Sequence, residues 1–339
     1  MAPRLTIRVT RPVALMMGFV LSGTVVGQVD GRGPPAAQRS QDAVSETQPP
    51  SDERAPEKNP PEAHSEGKSI PEVTIEAQRQ LKNRVQTFVR KITASARFQH
   101  ESVARWHDPL CFEVAGLPRR HAEFVLSRLT QVALSVGANV RQRDCSRQRA
   151  NFFVVFTPDP ARTLQYLNRH PRLLFDRDAN MVQINNFLRQ STPLPVRIWH
   201  NADLIGPNGR RVERSVPCAG LSFGDAPVNC EAGGTRLTLQ AVEGLSEAVI
   251  VFDSNRISGL SIGQLADYTA MAGLVDLDIN ADLAEAPTIL RLFAQPEDAR
   301  PKGLTDWDRA FLSATYHTDQ KSIDQRALIA KDVIRDVSH

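Results

Sequence analysis

The stretch Gly259-Leu-Ser-Ile-Gly-Gln-Leu-Ala-Asp-Tyr-Thr-Ala-Met-Ala-Gly-Leu274 follows an apolar pentapeptide, Ala248-Val-Ile-Val-Phe252. How the two are joined decides the fold. Five consecutive apolar residues rich in Val and Ile read as a buried strand. The longer stretch opens on G-x-S-x-G, the pattern of the nucleophile elbow of serine hydrolases. An elbow requires the strand to run straight into the sharp turn, and here Asp253 to Ser258 intervene. The same residues, Ser261-x-x-Gln264 ahead of an apolar run, form a capping box. In it a serine oxygen accepts from the third helical amide and Gln264 accepts from the serine amide. We therefore expect a strand, a connection and a capped helix over Ile262–Leu274, with Ser261 as the cap. A hydrolase reading would make Ser261 the nucleophile, with Asp276 or Asp278 as the acid and His317 as the base.

Working outward, strands and helices continue on both sides. Leu81, Val85, Phe88, Val89 and Ile92 recur at helical spacing and predict a helix from Thr74 to about Ala96. Pro109–Val114 reads as a strand, and Arg120 to about Gly137 as a second helix. Asn139–Arg141 and Asn151–Phe156 are strands, the latter apolar throughout and expected at the centre of a sheet. Pro160 to His170 is a helix with proline in its first turn. Pro195–Asn201 and Arg210–Ser215 flank Pro207-Asn208-Gly209 and read as a hairpin. Helices around Trp307–Tyr316 and Gln325–Val337 complete the pattern, which shows no internal repeat. The fold class is α+β: a single domain over residues 71–339 with a mixed β-sheet and packed helices.

The preceding residues differ in kind. Arg4, Arg8 and Arg11 precede the apolar run Val13–Leu21 and small residues up to Gly27, which predicts a signal peptide over residues 1–27. The run falls short of the roughly 20 residues a spanning helix needs, so no stable membrane span is expected once the leader is removed. Residues 28–70 are rich in Pro, Glu and Ser and hold almost no large apolar side chains. Such a segment cannot bury enough surface to offset its ordering entropy, and we expect a disordered linker. Export to an oxidising compartment, periplasmic or extracellular, turns the four cysteines into disulfide candidates, with 111–145 and 218–230 the preferred pairs among three possible sets. Cys218 and Cys230 flank a turn-rich stretch, and Cys111 and Cys145 sit at strand edges around a helix.

Composition narrows the chemistry. The chain has 339 residues, is 41% hydrophobic and carries a formal net charge of +3. No basic stripe with interleaved aromatics is present, so a nucleic-acid partner is not expected. Asp276, Asp278, Asn280 and Asp282 alternate like the start of a calcium loop. The sixth and twelfth places of that loop, where glycine and glutamate belong, hold Ala281 and Pro287. No two histidines stand at i, i+4 on a helix, so an H-E-x-x-H zinc signature is missing. Trp106-His107-Asp108 and Trp199-His200-Asn201 read as packed, hydrogen-bonded histidines. Arg141, Arg143, Arg147 and Arg149 surround Cys145 and read as a solvated basic loop, with an anionic envelope polymer or lipid as the alternative partner.

Several landmarks resemble a group of uncharacterised exported bacterial proteins: Arg105-Trp106 before Pro109, Ala150-Asn151-Phe152, Gly273-Leu274, Pro287-Thr-Ile-Leu290, and Leu304-Thr-x-Trp-Asp-x-x-Phe-Leu312 with Tyr316 beyond. That group is distantly similar to zincin-like, metalloprotease-fold proteins. The resemblance implies a degenerate zincin-like fold, because Gly263-Gln264 stands where such relatives place His-Glu, and Asp267 stands four residues after Gly263. Glycine cannot ligate zinc and glutamine cannot act as a base. We accordingly expect no cofactor and a non-catalytic binding or structural module whose partner is an envelope protein or polymer. The alternative is an envelope hydrolase, either metal-dependent and peptidase-like or using Ser261.

Overall fold

The computed structural model describes residues 72–93, 102–141, 149–170, 194–206 and 241–338, with Cys145, Phe187, 209–211 and Leu239. The leader, the linker, Arg143, Arg147 and the Cys218–Cys230 pair lie outside the described residues. In chain order the elements are α1 (Glu72–Ile92), β1 (Arg105–Trp106), β2 (Phe112–Ala115), α2 (Arg119–Ser135), β3 (Phe152–Thr157), α3 (Pro160–Arg169), β4 (Val196–Ile205), β5 (Val242–Asp253), α4 (Ile262–Gly273), α5 (Asp306–His317) and α6 (Gln325–Val337). Two 3₁₀ turns, Ile289–Arg291 and Glu297–Ala299, lie between α4 and α5.

The sheet is mixed, as its sequence predicts, and β5 is its spine. β3 pairs with β5 in parallel from Phe152↔Ala248 to Thr157↔Asp253, and β2 pairs with β3 in parallel. β1 meets β5 in parallel at Gly244–Leu245. β4 runs antiparallel along β5 from Val196↔Phe252 to Ile205↔Val242, with a register shift at Asn201/Ala202 that leaves Ser246 as the extra residue. The predicted hairpin after β4 survives as a tight turn. Gly206 N–H donates to the Arg210 carbonyl, Ile205 bridges Arg211, and residues 212–215 lie outside the described residues. The main partner of β4 is β5, which is distant in sequence.

Strand alternation sends β5 side chains into two cores. Ala248, Ile250 and Phe252 join the main core with Leu265, Tyr268 and residues of α1, α2, α5 and α6. Val249 and Val251 face the other way, onto a smaller cluster with Phe153, Trp199 and the α3 residues Leu164 and Leu167. α3 starts as predicted, with Pro160 at its first turn and the Asp159 side chain accepting from Arg162 N–H. Gly116 closes the β2–α2 turn at φ +85°, where a Cβ would stand 1.8 Å from the Phe156 carbonyl oxygen. The Cys111–Cys145 disulfide is present and ties the start of β2 to the segment after Val140. No described helix is long and apolar enough to cross a membrane.

Candidate functional site

The N-terminal end of α4 holds the residues on which any catalytic reading turns. Gln264 N–H donates to Ser261 Oγ at 3.1 Å, and Ser261 N–H donates to Gln264 Oε1 at 2.9 Å. Both halves of the capping box are therefore made. The amide nitrogen of Gln264 also donates to the Pro301 carbonyl at 2.8 Å, so this side chain is engaged at both its ends. One turn on, Asp267 is buried and accepts from Arg128 Nε at 2.6 Å, Arg128 Nη2 at 3.1 Å and Leu304 N–H at 2.9 Å. That is a forked guanidinium–carboxylate pair of the strong kind. Its first effect on Arg128 is to hold the guanidinium further into its charged form. The side chains of Gln264 and Asp267 are thus spent on scaffold contacts. Gly263 has no side chain to contribute.

The C-terminal end of α4 explains the sequence landmarks. A helix leaves its last carbonyls without internal partners. Here the Trp106 indole N–H donates to the Gly273 carbonyl and the Tyr316 hydroxyl to the Leu274 carbonyl, each at 2.8 Å. Arg105 donates to the carbonyls of Thr315 and Thr318 at the end of α5, and its guanidinium lies 5.7 Å from the Tyr316 ring centre. Burial pushes the Arg105 guanidinium down and the Tyr316 phenol up from their ordinary values. Gly273 admits the helix to the sheet, since a Cβ there would meet the Phe152 ring at 2.3 Å. Phe152 is itself wedged between Trp106 and Phe112.

The remaining landmarks are joints of the same kind. Asn151 Oδ1 accepts from Cys111 N–H, and its amide donates to the Pro109 carbonyl. Asp308, fully buried, caps α5 through Thr305 and accepts from Thr288 Oγ1 at 2.5 Å and Ile289 N–H at 2.8 Å. Burial raises its carboxyl pKa against the opposing pull of these donors.

The structure separates the proposed serine–acid–histidine set. His317 lies at the end of α5 with Nδ1 against the Ser313 carbonyl at 2.8 Å and its ring beside Gly137. Asp276 instead meets His200 Nδ1 at 3.2 Å, both side chains being buried. Asp278 and Asp282 accept from the amides of Asn280 and Ala284, two residues on, as turn-forming carboxylates do, and Lys91 pairs with Asp282 at 3.6 Å. Among the described residues no three His, Cys, Asp or Glu side chains are gathered as metal ligands would be. His107 lies exposed against the Gly209 carbonyl, whereas His200 is packed as its sequence context predicts.

Sequence reasoning missed the polar half of β5. Glu243, Ser246 and Glu247 are buried together with His200 and Asn201 of β4, and Asn201 Nδ2 donates to Ser246 Oγ at 3.0 Å. Glu-Gly-Leu-Ser-Glu lacks both apolar continuity and alternation, so nothing in its pattern marks a strand.

No protein-family model matches this chain, nor does any curated protein or solved structure.

Proposed function

We propose that residues 71–339 form a non-catalytic binding or structural module of the cell envelope, delivered by the N-terminal leader to an oxidising compartment. One observation carries the reading. At the N-terminal end of α4, Ser261, Gln264 and Asp267 are all committed to holding the helix and its neighbours in place. A serine nucleophile needs a base on its hydroxyl, and among the described residues Ser261 Oγ meets the Gln264 amide and no histidine. The Cys111–Cys145 disulfide supports export, since such bonds persist where thiols are not kept reduced. A degenerate zincin-like scaffold is part of the same proposal: a helix lies on a mixed sheet, with glycine and glutamine where the family pattern has ligand and base. The natural partner is an envelope protein or polymer.

The test is protein purified from the periplasm without added chelator, assayed for bound metal by mass spectrometry and for labelling by a fluorophosphonate probe. The module reading expects neither stoichiometric zinc nor labelling. About one zinc per chain, or labelling of the wild type that vanishes in Ser261→Ala, would replace it with an envelope hydrolase.

A further inference from the structure

The two faces of α1 differ sharply in chemistry. Val85, Phe88, Val89 and Ile92 are buried in the main core, and Phe88 packs against Trp307 and Phe311. On one flank of the helix, about 110° around from that buried face, Ile75, Arg79, Lys82, Gln86 and Arg90 are exposed. At about 100° per residue these five fall within roughly 80° of one another, a single stripe on the wheel. From Arg79 to Arg90 the stripe runs roughly 16 Å at about 1.5 Å per residue.

Its charge is unbalanced. From Glu72 to Thr93 the helix holds five cations, Arg79, Lys82, Arg84, Arg90 and Lys91, against two acids, Glu72 and Glu76, both in its N-terminal turns. Arg84 and Lys91 turn aside to the 282–285 loop, where they donate to the Glu285 and Asp282 carbonyls. Arg79, Lys82 and Arg90 have no ion-pair partner among the described residues, so their charge is displayed to solvent. Ile75, 41% exposed, is one of four large hydrophobics left exposed among the described residues, and it stands at the N-terminal end of this stripe.

We propose that this face of α1 docks on an anionic phospholipid surface. Three unpaired cations in a line match a plane of anionic headgroups by charge complementarity, each contributing on the order of fivefold to partitioning near such a surface. Ile75 favours a membrane over a soluble polyanion, because an isoleucine beside cations can enter the headgroup boundary. Long arginine and lysine stems let the helix keep its apolar face in the protein core while its charges reach outward. Contact is peripheral, and salt screens it. The inference rests on the envelope reading only for the opportunity to meet a membrane.

The experiment is co-sedimentation of the full chain with vesicles of phosphatidylcholine alone or with about one-third phosphatidylglycerol, at low and high salt. Expected is binding to the anionic vesicles that is weakened at high salt. The Arg79→Gln/Lys82→Gln/Arg90→Gln variant loses on the order of 100-fold in partitioning, and Ile75→Ser loses a smaller part. A control that removes equal charge elsewhere, Arg162→Gln/Arg169→Gln/Lys302→Gln, keeps most of the binding. Every variant carries the same residues 1–70, so the comparison isolates α1. Equal losses in the two triple variants, no binding to anionic vesicles, or binding to soluble polyphosphate in preference to vesicles would each overturn the proposal. Fractionation of the tagged chain separates the two readings: recovery in the cytosol removes the envelope assignment, whereas an exported chain that ignores vesicles removes only this one.

Discussion

The two ends of α4 make an instructive pair. Its N-terminal end carries the residues that look chemical, a serine in G-x-S-x-G with a glutamine and an aspartate at helical spacing. Its C-terminal end carries Gly273 and Leu274, which look inert. In the folded chain the inert end has the more demanding surroundings: an indole and a phenol serve its last carbonyls, and a ring occupies the space a Cβ would need. The chemical-looking end is closed on itself by a reciprocal pair of hydrogen bonds. The lesson is that a polar motif is informative only once its hydrogen bonds have been counted.

That contrast can be broken or sharpened by substitution. The largest effect belongs to Asp267→Ala, which strands Arg128 and the Leu304 amide. Breaking a buried pair of this kind costs about 3–5 kcal/mol, and because Arg128 keeps some solvent contact we expect the lower end in urea unfolding. Next comes Gly273→Ala. Phe152 is fully buried between two rings and cannot swing clear, so overpacking should cost about 1–3 kcal/mol and lower the thermal midpoint. If this variant were as stable as wild type, the close approach of helix and sheet would not be a constraint. Ser261→Ala should cost only about 1 kcal/mol, the usual value of a helix cap.

Tyr268→Phe is the smallest of the series. Tyr268 is wholly buried, which raises the phenol pKa by desolvation, and its hydroxyl has no partner among the described residues. Removing a buried, unbonded hydroxyl should leave stability unchanged or slightly increased. A loss above about 1 kcal/mol would reveal a partner for the hydroxyl, since that is the worth of a typical internal hydrogen bond.

Much of the architecture was legible because it rests on local pattern. The helical repeat of Leu81 to Ile92, the apolar runs Phe152–Phe156 and Ala248–Phe252, the proline start of α3 and the capping box at Ser261 all appear where periodicity and cap chemistry place them. The preferred Cys111–Cys145 pair is also present. What stayed hidden depends on contacts across long sequence separations. The residues Val242–Glu247 look like a loop, yet they are strand because β4 and β1 supply pairing from about 40 to 140 residues away in the chain. His200 and Asp276 meet across 76 residues, and no spacing rule joins them. Trp106 stands out in the sequence, but its hydrogen bond to the Gly273 carbonyl at the far end of α4 spans 167 residues and no local pattern signals it.

The claim that the N-terminal end of α4 is scaffold is tested most directly by a double-mutant cycle on Ser261→Ala and Gln264→Ala, read as unfolding free energies in urea. Each side chain caps the other's backbone amide, so Ser261→Ala should cost roughly 1 kcal/mol, Gln264→Ala somewhat more because it also loses the bond to the Pro301 carbonyl, and the double more than either single variant. Two single variants and a double variant all as stable as wild type would contradict the account and return Ser261 to the list of candidate nucleophiles.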